Sequence, residues 1–153
     1  MRTLGNILWH FPCFGFLQAF VVFIVGTILT ITIVGSPIGL GLIQYSRFLL
    51  APFSYEMVDQ KTLGKEQSKA WEIFSLIIWI IYLPFGVVAF IVGLAQTVVL
   101  VITIIGIPLA VIVVKSLGVY FKPIGKVCVP LSVGNELRRR KADEDVKKYL
   151  GDN

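Results

Sequence analysis

No charged side chain lies between Arg2 and Arg47, and none lies between Glu72 and Lys115. Each stretch exceeds 40 residues, whereas a helix crosses the hydrocarbon core of a bilayer with roughly 20 apolar residues. Each stretch therefore has room for two spans, or for one span and shorter pieces. A helix buried in a soluble core rarely runs so far without a charge. The charged fraction is 15%, against about 25% for an ordinary soluble domain. These runs point to an integral membrane protein. A cleaved secretory signal fits poorly, because its apolar region covers only about 7–15 residues before a small-residue cleavage site. The N-terminus is expected to be retained.

Deep inside each run stands a Gly-x-Pro helix breaker: Gly35-Ser36-Pro37 in the first and Gly106-Ile107-Pro108 in the second. Proline lacks a backbone N–H and clashes with the preceding turn, and glycine permits a sharp change of direction. The two breaks are 71 residues apart. The same offset pairs Phe14-Gly15 with Phe85-Gly86, Ile31-Thr32-Ile33 with Ile102-Thr103-Ile104, and Pro52 with Pro123. Residues 14–58 align without a gap, and 11 of 45 positions are identical. The coincidence of the Gly and Pro positions at one offset carries more weight than that count.

The expected fold is all-α and integral to the membrane, with two tandem repeats. Each repeat holds a long transmembrane helix, a Gly-x-Pro break and a shorter helix, about four spans in total. Residues 1–58 form repeat 1, 59–70 a polar connecting loop, 71–129 repeat 2 and 130–153 a charged tail. Gly15–Val34 and Gly86–Ile105 are the long spans. Segments 3–14 and 71–83, the second closed by Pro84-Phe85-Gly86, are expected to be interfacial or half-spanning. All 14 lysines and arginines fall at Arg2, within 47–69, or from 115 onward. Even numbers of crossings place these regions on one side, and the positive-inside rule makes that side cytoplasmic. The breaks are then far-side turns. Their apolar flanks, Val34, Ile38, Ile105 and Leu109, leave a re-entrant arrangement open.

The net charge of +5 is expected from lysine and arginine held on the cytoplasmic side, so nucleic acid is not an expected partner. Cys13 and Cys128 have neither metal-ligand nor redox spacing, and one histidine makes a zinc site improbable. No metal or cofactor is expected. The acids Glu56, Asp59, Glu66 and Glu72 cluster in or beside the polar loop, and no catalytic constellation emerges. The protein is not expected to be an enzyme.

Candidate functional residues lie on the short arms after the breaks. Lys115, Gly118, Lys122 and Lys126 follow helical spacing and share one face if the helix continues. In the first repeat Gly41, Gln44 and Arg47 make a similar stripe, and Gln44 is equivalent to Lys115. Two readings stay open. An ionisable group in a span usually faces a cavity or pathway, giving a basic vestibule of Lys115, Lys122, Gln44 and Arg47. Alternatively the lysine stems lift their ammonium groups to the headgroups. Gln96 is a pore or helix-bridging candidate. Arg138, Arg139 and Arg140 in the tail are lipid-headgroup candidates.

The opening Met1-Arg2-Thr3-Leu4-Gly5-Asn6-Ile7-Leu8-Trp9 resembles the start of the YccF family of small bacterial inner-membrane proteins. Gly93-Leu94-Ala95-Gln96, Ile104-Ile105-Gly106-Ile107-Pro108, Lys115 and Pro123-Ile124-Gly125 extend the likeness over nearly the whole chain. Gly-Ser-Pro at the first break is a small departure. The resemblance implies a bacterial inner-membrane location and a duplicated domain. It implies no catalytic residues.

The expected function is an oligomeric inner-membrane channel or transporter subunit, with inorganic anions as its ligands. Four spans enclose little volume, so a pathway calls for a homo-oligomer. Glycines 26, 35, 39, 41, 93, 106 and 118 allow close helix contact. The alternative is a non-conducting structural or accessory protein that binds partners or anionic lipid through its basic tail.

Overall fold

The computed structural model describes residues 2–13, 15–64, 68–103 and 106–151. Phe14, Lys65, Glu66, Ile104 and Ile105 lie outside the described residues, as do the side chains of Arg2, Pro12 and Cys13. The elements in order are α1 (Arg2–Cys13), α2 (Gly15–Ile31), α3 (Ser36–Leu50), β1 (Tyr55–Asp59), a 3-10 turn (Gln60–Leu63), α4 (Lys69–Ile102), α5 (Ile107–Phe121), β2 (Lys126–Pro130) and α6 (Leu131–Gly151).

The membrane-facing part is built from two helical hairpins, α2 against α3 and α4 against α5. The Gly-x-Pro breaks are the starts of their returning helices. Gly35 and Gly106 are the N-cap residues of α3 and α5, and Pro37 and Pro108 sit in the first turns. Proline is tolerated there because those N–H groups have no intrahelical partner. A threonine closes each turn: Thr32 Oγ1 donates to the Leu29 carbonyl, and Thr103 Oγ1 donates to that of Leu100. A Cβ on Gly106 would overlap the Leu100 carbonyl and Thr103 Oγ1.

Two expectations are corrected here. The chain is not all-α, because β1 and β2 pair as an antiparallel two-stranded sheet. The strands lie at the ends of the two expected repeats, β1 running one residue into the expected polar loop and β2 one residue into the expected tail. Nor does Pro84-Phe85-Gly86 close a segment: α4 runs through Pro84 for 34 residues, about 51 Å at 1.5 Å per residue. α4 is long and apolar enough to cross a bilayer, whereas α2 and α5 are shorter apolar helices. The tail helix begins at Leu131, where β2 ends.

Adding 71 to the bounds of α3 gives those of α5, and adding it to those of β1 gives β2. In the sheet, Met57 pairs with Cys128, its own counterpart at that offset. The carbonyls accepting the helix-capping contacts also correspond at that offset, although their donors do not. Trp9 Nε1 donates to the Leu49 carbonyl at 2.9 Å, and Tyr82 Oη donates to that of Tyr120 at 3.0 Å. His10 Nε2 donates to the Leu50 carbonyl at 2.7 Å, and Trp79 Nε1 donates to that of Phe121 at 3.4 Å. The last carbonyls of any helix lack intrahelical donors, and these side chains supply them.

The core joins α1, α2, α3 and α5 through Trp9, Ala19, Tyr45, Phe48, Leu49, Ile112 and Val119. Outside it, the hairpin helices expose apolar side chains such as Phe16, Phe20, Ile28, Ile80, Phe85 and Val92. Soluble monomers rarely expose contiguous apolar patches larger than a few hundred Å². This surface suits hydrocarbon.

Candidate functional site: a polar platform at the sheet

The charged groups gather around the sheet, and the sheet's pairing explains how. Asp59 and Lys126 are cross-strand partners, and their side chains form an ion pair at 3.1 Å. Glu56, on the same strand, is buried at 8% exposure. A buried carboxylate is costly without a partner. Arg138 of α6 supplies one, its Nη2 donating to Glu56 Oε2 at 2.8 Å and to Asn135 Oδ1 at 2.8 Å. Contact is that close because Gly134 has no side chain; a Cβ there would overlap Glu56 Oε1. α6 is thus fastened to β1 by one glycine and one ion pair. From Arg139 onward it is exposed.

Lys115 enters this platform from α5. It is half-buried, and its Nζ donates to the Pro52 carbonyl at 3.2 Å and lies 5.9 Å from the centre of the Phe53 ring. It lines a cavity of about 340 Å³ with Glu56, Asp59, Lys126, Arg138 and Lys141. Its counterpart Gln44 is also turned to the sheet, where Gln44 Oε1 accepts the Cys128 backbone N–H at 3.3 Å. Each arm therefore spends its central polar side chain on the other half's chain.

The expected face of Lys115, Gly118, Lys122 and Lys126 does not form, because α5 ends at Phe121 and Lys126 belongs to β2. Lys122 sits over the Trp79 ring at 5.3 Å, whereas Lys115 lies against Phe53. Arg47 is exposed, near Cys128. Gln96 is exposed on α4 with no hydrogen bond to another described residue. Of the three tail arginines, Arg138 joins the platform, Arg140 pairs with Glu136 on its own helix at 3.2 Å, and Arg139 is exposed. Sequence reasoning missed that Glu56, Gly134 and Lys141 line one cavity with Lys115. The spacing of Gly134 and Arg138, one helical turn apart, was the available signal, but it identifies no partner. Among the described residues no group of three or more His, Cys, Asp or Glu side chains could hold a metal ion.

The apolar hairpins over a charged platform describe a membrane protein, and comparison with known families agrees. Residues 4–55 match the YccF family model, an inner membrane component domain. The YccF match runs from α1 through α3 and ends as β1 begins. The likeness read from the opening residues is thus shown for this part of the chain. Comparisons with curated proteins and with solved structures return no significant match.

Proposed function

We propose that the protein is a non-enzymatic accessory protein of the bacterial inner membrane, whose polar platform binds an anionic partner on the cytoplasmic side. One observation carries this reading. Gln44 and Lys115, the central polar side chains of the two arms, each hydrogen-bond the backbone of the other half, Gln44 at Cys128 of β2 and Lys115 at Pro52, just before β1. Two copies of one unit, each a hairpin with a strand, account for the 71-residue correspondence. The two hairpins give four membrane-inserted helices with both termini cytoplasmic, in keeping with the lysine and arginine distribution. Purified protein in liposomes should pass chloride no faster than protein-free liposomes. Removing residues 134–153 should abolish preferential retention of anionic lipid. Chloride flux that falls when Lys115 is replaced by alanine would sink the reading.

A second reading, the oligomeric channel or transporter subunit, is favoured by Gln18 and Gln96. Both are exposed on hairpin helices without a bonded partner among the described residues. A side-chain amide in hydrocarbon gains by pairing across a helix interface, which a homo-oligomer provides. Particle stoichiometry in lipid nanodiscs separates the two: a monomer excludes the channel, and a ring with charge-dependent flux establishes it.

A further inference from the structure

We infer that the cavity between Lys115 and α6 is a binding site for one anionic phosphodiester headgroup of a glycerophospholipid. This rests on the platform reading above and assigns its ligand and its residues. Four cationic and two anionic side chains line the cavity. The two carboxylates are already engaged, Glu56 by Arg138 and Asp59 by Lys126. Among the described residues neither Lys115 nor Lys141 forms an ion pair, and Glu56, the carboxylate that faces Lys115 across the cavity, is already paired with Arg138. Lys115 is half-buried, with a backbone carbonyl and an aromatic ring as its polar contacts. A cation withdrawn from water is poorly compensated where the carboxylate facing it is already neutralised by an arginine, and an anion between Lys115 and Lys141 supplies the missing charge. Arg138 offers further guanidinium donors beside them. A planar fork and point-charge ammonium groups together suit a phosphate oxygen cluster.

The surroundings favour a lipid over a free anion. At about 340 Å³ the cavity lies at the lower end of the roughly 300–1,000 Å³ typical of small-ligand pockets. It holds a glycerol-phosphate unit with room that bare phosphate leaves unused. Lys115 also projects from a helix whose outer side carries exposed Val111 and Val114, at 41% and 52%. An acyl chain can run along these residues while its headgroup reaches the ammonium.

Native mass spectrometry of the full chain, delipidated and re-exposed to mixed micelles, tests this directly. Phosphatidylglycerol should be retained about tenfold more than phosphatidylcholine, a difference of about 1.4 kcal/mol. Lys115→Met and Lys141→Ala should each remove most of that preference. Lys147→Ala and Lys148→Ala, farther along the exposed tail, should leave it intact. Lys141 is exposed on α6, so its variant carries the test if Lys115→Met does not fold. Equal retention of the two lipids, or retention indifferent to Lys141→Ala, overturns the site. Displacement of the lipid by equimolar inorganic phosphate overturns the headgroup assignment. Charge-dependent flux with the preference intact would overturn the platform reading alone and leave this site standing.

Discussion

Gly41 packs against the chain after α5 so closely that a Cβ would overlap the Pro123 carbonyl, which is backbone and cannot swing aside. Gly118, on the other arm, has nothing within 4 Å of a built Cβ. The two positions should respond in opposite directions. Gly41→Ala should cost about 1–3 kcal/mol through overpacking. Gly118→Ala should gain roughly 0.5–1 kcal/mol from helix propensity, both read as melting shifts in detergent. Close contact was expected of both glycines, but composition cannot tell an interface glycine from an open one. Cys128 gives a pH-dependent test. Burial pushes its thiol up to about 11, with nearby Arg47 opposing the rise. At pH 8 its thiolate is then roughly a hundredfold rarer than that of an unperturbed thiol, and the thiolate is the reacting form. In a Cys13→Ser background, iodoacetamide labelling at pH 8 should be slow and should rise about tenfold per pH unit toward 11. The folded state favours the neutral thiol, so this contribution to stability is full below the ordinary thiol range and is lost as pH climbs through about 11.

α6 shows how an element can be held at one end and free along the rest. It touches both strands, and its attachment centres on Gly134 and the Arg138–Glu56 pair. Gly134→Ala should push α6 off Glu56 and speed tryptic cleavage after Arg138–Lys141 several-fold, as read by mass spectrometry. Cleavage elsewhere should be unchanged. Local signals made most helices legible: missing charges marked the hairpins, and glycine with proline marked their turns. The strands were not legible. Tyr55-Glu56-Met57-Val58-Asp59 has charges at two of five positions, and its partner is 71 residues away, so no local pattern announces pairing. Pro84 misled because a proline in an apolar helix need not end it when neighbouring helices tolerate the freed carbonyl. Gly86 there lies close to the Tyr120 and Phe121 carbonyls, so the turn around Pro84 is held by its neighbour. The destination of Lys115 was equally hidden, since it depends on where β1 and α6 dock.

At the level of the whole molecule, the two halves are joined through their strands as well as their helices. Met57 and Cys128 face each other at the centre of the pairing, where opposed Cα atoms of antiparallel strands lie about 4.5–5.5 Å apart. That distance falls within the usual disulfide range of about 4.4–6.8 Å. In a Cys13→Ser background, Met57→Cys should therefore form an intrachain disulfide with Cys128 on mild oxidation. The product is a monomer of altered gel mobility. Cysteine placed instead at Val58 should crosslink poorly, because Val58 pairs with Val127. Efficient bonding from 58, or none from 57, would show that this register is wrong.

The central pairing also sets an order of events during synthesis. β1 leaves the ribosome 71 residues before β2, a wait of roughly 4–14 s at 5–20 residues per second. For that interval Tyr55–Asp59 is an open strand edge, which any other extended segment nearby can occupy. A chain that stalls before Lys126 keeps that edge, and with it a buried-type carboxylate, Glu56, still waiting for its arginine. Completion of this protein is therefore marked by the closing of a single five-residue seam, long after most of its apolar residues have been made.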